Sequence, residues 1–67
     1  MLAKWIGDVV GKMHRAGVTM KALAAEIGWH EKYLSAVLNG HRAPKDAELK
    51  VREALARCIK NMKEAVR

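Results

Sequence analysis

Sixty-seven residues with thirteen Lys and Arg against seven Asp and Glu carry a net charge of +6, which favours a polyanionic partner, most simply nucleic acid. A single cysteine, Cys58, rules out an internal disulfide and a four-cysteine metal cage. A core this small supplies only about 3–5 kcal/mol of net stability, so a partner subunit is a common supplement. The positive charge also has a plainer reading, solubility. It is uneven, with eight basic and four acidic residues over 41–67 against five and three over 1–40.

Val, Ile and Thr are scattered, no segment alternates with period two, and Pro44 is the sole proline, so the chain reads as helix throughout. Leu2, Ile6, Val9, Val10 and Met13 recur at three- and four-residue spacing, the apolar stripe of a first helix that Gly17 ends. Gly7 and Gly11 weaken that helix by about 1 kcal/mol each relative to Ala, unless another backbone packs close to them. Thr19 is a good N-cap for a second helix, Met20 to Ile27, closed by Gly28. A third begins at Trp29 or His30 and runs to about Leu38, where Asn39-Gly40 stops it. Asp46 falls in the first turn of a last helix, 45–63, about 28 Å long. No apolar run approaches the roughly 20 residues of a membrane span. Lys4 and Asp8 break the layout of a signal peptide, and a cytoplasmic location is expected.

Two short helices joined by a brief turn containing Gly form a helix-turn-helix, here over residues 19–40. Ala24 is small where a larger side chain would push the next helix away, and Gly28 suits positive φ at the turn. Leu23, Ile27, Leu34 and Val37 point inward. Trp29 is expected as a hydrophobic plug in the turn. The fold class expected is all-α, a compact four- to five-helix domain in a single unit, 1–67.

This stretch resembles the helix-turn-helix of the phage repressor and Cro family, the XRE-type domains. The resemblance covers Thr19 to Pro44 and includes Leu23-Ala24, Gly28, Ser35 and the exit Asn39, Gly40 and Pro44. Met20 stands where the family often has Gln, and His30 where it often has Ser or Thr. The resemblance implies a repressor-like DNA-binding domain, usually dimeric, whose second motif helix enters the major groove of an operator.

On the wheel of the third helix, Leu34, Val37 and Leu38 form the buried side and Lys32, Ser35, Ala36 and Asn39 face away. Lys32 is the leading base contact, as a donor to guanine O6 and N7. Glu31 suits cytosine N4, or equally the dipole of its own helix. Ser35 pairs with several bases, and Ala36 suits a thymine methyl. Phosphate contacts are expected from Thr19 and Lys21 at a helix N-terminus, from Tyr33 (or core packing in its place), and from Asn39, His41 and Arg42. Lys50, Arg57, Lys60 and Lys63 read as a solvated face.

His14, His30, His41 and Cys58 lack paired metal spacing, and no cofactor or small-molecule ligand is expected. No Gly-rich phosphate loop and no Ser/His/Asp set points to catalysis. Along the last helix Val51, Leu55, Cys58, Met62 and Ala65 recur at steps of four and three, a seam suited to helix-to-helix contact. Its first half packs on the domain's own core; Ile59, Met62 and Val66 are expected at the interface of a homodimer. The function expected is a sequence-specific regulator of double-stranded DNA, a small Cro or repressor type. Two rivals stand beside it. One is a protein-binding antagonist on the same scaffold, suggested by Glu26 and Glu31 near the DNA face. The other is a basic amphipathic membrane binder, which has no need of Gly28 or Ala24.

Overall fold

A computed structural model of the chain describes residues 3–65. It contains four helices: α1 Lys4–Ala16, α2 Met20–Ile27, α3 Glu31–Leu38 and α4 Ala47–Ala65. There is no strand among the described residues, as the scattered β-branched residues predict.

Local signals account for most of the boundaries. The Thr19 hydroxyl accepts from the Ala22 amide at 3.0 Å, capping α2 at its expected first turn. A glycine of positive φ follows each of the first three helices, Gly17 and Gly28 directly and Gly40 after Asn39. In each, the next amide reaches back five residues, Val18 to Met13, Trp29 to Ala24 and His41 to Ala36, at 2.9–3.0 Å. This closure satisfies carbonyls that a helix end otherwise leaves open.

The start of the last helix differs from expectation. Asp46 is not in its first turn but precedes it, at φ +60, with the Ala47 amide donating to the Pro44 carbonyl at 3.1 Å. Pro44 to Ala47 is thus a tight turn whose third residue needs positive φ, a state Asp tolerates better than most residues. The helix consequently runs 47–65 instead of 45–63, and Glu48 is the acid that faces its N-terminal dipole.

Buried side chains from every helix meet in one cluster, with Ile6, Val9 and Met13 on α1, Leu23 and Ala24 on α2, Leu34 and Leu38 on α3, and Val51, Leu55 and Cys58 on α4. The α4 helix packs on both α2 and α1, whereas α3 packs chiefly on α2. Val10 is only half-buried at the edge of the α1 stripe. Leu2 lies outside the described residues.

No backbone packs close to either α1 glycine. A Cβ built on Gly7 meets nothing within 4 Å, and one on Gly11 meets only the tip of the Arg15 side chain at 3.3 Å. Gly7 therefore weakens α1 without a packing return. Gly7→Ala is expected to add about 1 kcal/mol of stability, raising the unfolding midpoint by about 4–8 °C for a domain of this size. Scanning calorimetry checks it; an unchanged or lowered midpoint contradicts the open space seen at Gly7.

Candidate nucleic-acid interface

The turn between α2 and α3 is only three residues, Gly28, Trp29 and His30. Gly28 sits at φ +90, where a side chain is strained even though the space beside it is open. Trp29 is half-buried against the core, and its ring meets that of Tyr33 edge-on, with centroids 5.0 Å apart and planes at 88°. That geometry suits two aromatic quadrupoles, and Trp29 fills the turn as a plug. Tyr33 is tied into the same contact and remains half-buried.

His30 opens α3 in the way a Ser or Thr would. Its Nδ1 accepts from the Lys32 amide at 3.1 Å, so this side chain serves as the N-cap. An accepting Nδ1 places the ring proton on Nε2. Met20, where a hydrogen-bonding residue is frequent, instead packs its side chain against the core.

Glu31 and Lys32 lie exposed in the first turn of α3, while Leu34, Val37 and Leu38 are buried beneath them. Ser35 and Ala36 are half-buried. Asn39 is exposed, but its amide nitrogen donates back to the Ser35 carbonyl at 2.8 Å and approaches the Ser35 hydroxyl at 3.3 Å. Thr19 and Lys21 are exposed at the N-terminus of α2, and His41 and Arg42 are exposed just after α3.

Charge pairing separates the cations into two groups. Arg52 pairs with Glu48 at 2.9 Å and approaches Asp8 at 3.7 Å, and Arg57 pairs with Glu26 at 3.0 Å. Among the described residues, Lys21, Lys32 and Arg42 have no carboxylate within ion-pair distance. Three of the acids are thus held by Arg52 and Arg57, whereas the cations around α3, like Lys50, Lys60 and Lys63 on α4, have no ion pair among the described residues. The Glu26 charge is held by Arg57 and no longer stands as an open acid beside the motif.

Cys58 is buried and lies 3.9 Å from the Ala22 carbonyl. Burial raises its thiol pKa, the Glu26 carboxylate adds to the rise, and Arg57 opposes it. It is a core side chain with suppressed thiolate character. No His, Cys, Asp or Glu cluster able to hold a metal ion occurs among the described residues.

A family model described as helix-turn-helix matches residues 12–51, from the second half of α1 through the start of α4. The chain belongs to the XRE (Cro and repressor) type of helix-turn-helix family. No curated protein and no solved structure matches it. This XRE-type domain is a DNA-binding helix-turn-helix regulator, in a family of regulators and not typically of enzymes. Among the described residues, no helix is long and apolar enough to cross a membrane.

Two features of the XRE-type domain were not visible in its sequence. The capping role of His30 depends on a side-chain rotamer. The Arg57–Glu26 pair joins residues 31 apart in the chain, and helical spacing on α4 alone reads Arg57 as solvated.

Proposed function

We propose that the protein is a Cro- or repressor-type transcriptional regulator, acting in the cytoplasm as a homodimer on an inverted-repeat operator, with α3 in the major groove. The observation that carries this reading is the exposed, unpaired Lys32 in the first turn of an α3 whose opposite side is fully buried. An ammonium there has no carboxylate partner among the described residues and stands on a helix anchored by its buried side. Lys32 donates to guanine O6 or N7, Glu31 accepts from cytosine N4, Ser35 takes either kind of base edge, and Ala36 touches a thymine methyl. Thr19, Lys21, Tyr33, His41 and Arg42 contact phosphates. Asn39 does so by sharing the amide it now offers to Ser35.

The dimer is supported by what α4 leaves uncovered. Met62 is 41% exposed, and with Ala16, Ile59 and Lys63 it lines an open concavity of about 460 Å³. Ala16 and Ile59 are half-buried there, so the exposed Met62 with its apolar surround is what a covering partner would enclose. Val66, the third residue expected there, lies outside the described residues. The pairing of Glu26 with Arg57 removes one of the two acids that favoured an antagonist of another regulator.

Salt tests the DNA reading. With Lys21 and Arg42 each neutralising one phosphate in both protomers, log K falls against log salt with a slope of about −3.6, at about −0.9 per phosphate. A mobility shift on duplex DNA over a salt series measures it. A slope near zero, or no shift on any duplex at low salt, overturns the proposal.

A further inference from the structure

We infer that Arg57 and Asn61 are positioning residues that fix the recognition helix from behind, by holding Glu26 at the end of α2. The inference rests on the DNA-binding reading above for its functional meaning, but its structural content stands on the free protein.

Glu26 is the penultimate residue of α2, two positions before Gly28. Its carboxylate accepts from Arg57 Nε at 3.0 Å and from Asn61 Nδ2 at 3.5 Å. Arg57 Nη2 also donates to the Glu26 backbone carbonyl at 3.5 Å, one of the carbonyls left without a partner inside its own helix. A carboxylate in the last turn of a helix sits at the negative end of the dipole and is disfavoured there. Arg57 offsets that repulsion and gives the carbonyl a donor. Two consecutive turns of α4 therefore grip one residue through side chain and backbone together.

The location gives the grip its consequence. The α3 helix packs chiefly on α2, and α4 packs on α2 and α1. The angle of α3 relative to the long helix thus passes through the end of α2 and the three-residue turn after it. The Cys58–Ala22 contact and the apolar core set the spacing of α2 and α4, but apolar contacts are not directional. The Arg57–Glu26 fork has a defined direction, and it acts beside the turn. Both partners are partly exposed, with side chains 51% and 29% accessible, so the effect on overall stability is small.

Arg57→Gln, checked for folding by circular dichroism, separates positioning from other roles. Affinity for the preferred site is expected to fall about fivefold, random duplex is expected to lose less, and the salt slope is expected to stay the same. Amide exchange in the free protein is expected to speed up at Trp29 and Leu34 while α1 is unaffected. The exchanged pair, Glu26→Arg with Arg57→Glu, is expected to restore part of the exchange pattern and of the preference, since it rebuilds the ion pair but a carboxylate at position 57 cannot donate to the residue 26 carbonyl. An equal loss on both DNAs, with the slope reduced by about one unit, would instead make Arg57 a phosphate contact and overturn the inference. Unchanged exchange at Trp29 and Leu34, or acceleration shared evenly with α1, overturns it as well. A wild type that binds no DNA defeats the proposed function, whereas the exchange measurement still decides the grip.

Discussion

Lys32→Ala is expected to cost about 1–3 kcal/mol on the preferred duplex, a loss of about five- to 150-fold, and to flatten the ranking of sequences at one base pair. The size follows from position. Lys32 has no carboxylate partner to release among the described residues, so its removal takes nothing from the fold. Its amide, not its side chain, makes the bond to His30, so the cap survives the substitution. Arg42→Ala supplies the contrast. Arg42 is exposed beyond the end of α3, and its removal is expected to weaken preferred and random DNA by similar factors. The salt slope becomes shallower by about one unit for each phosphate no longer neutralised. Selection of bound sequences from a random pool, run on both variants, measures the difference. An unchanged ranking after Lys32→Ala refutes the assignment of the reading helix.

The second large effect concerns Met62. Its side chain lines a concavity with Ala16 at the end of α1, and 41% of the residue remains exposed. Met62→Glu places a charge on the proposed interface with little disturbance to the core, because the side chain already borders solvent. The wild type is expected to sediment as a dimer at micromolar concentration and the variant as a monomer. The variant is also expected to lose operator affinity by more than Lys32→Ala does, since a lone protomer engages one half-site. A monomeric wild type, or a variant that stays dimeric, rejects this interface and leaves the DNA-binding assignment in place.

The helix-turn-helix was legible because its determinants are local. Thr19, Gly28 and Gly40 act on amides and carbonyls within five residues, and α2 begins and ends at the residues they predict. The buried side of α3 followed from its period, and Leu34, Val37 and Leu38 are indeed enclosed. The start of α4 lies two residues beyond the expected one because Asp46 takes a positive φ that the turn demands and that few residues other than glycine adopt. The fate of Arg57 was hidden for a different reason. A cation on an outer helix face looks solvated until the neighbouring helix is placed, and Glu26 is far away in sequence. Asn39 likewise faces outward by its spacing while turning its amide back to Ser35.

The common way in which the helices close has a practical meaning for retargeting. The α3 helix carries its own start in His30 and its own stop in Gly40, and it is anchored by three side chains on one side. Of the outward positions, Asn39 closes the helix by donating to the Ser35 carbonyl, and Glu31 faces the N-terminal dipole; the side chains of Glu31 and Lys32 take no part in the core. On the proposed reading, residues 31 and 32 are expected to be exchangeable for those of another such helix with little change to the framework, because both are exposed. Positions 35 and 36 are half-buried, so on the proposed reading new specificities on this framework are expected to come first from the two exposed residues at the tip.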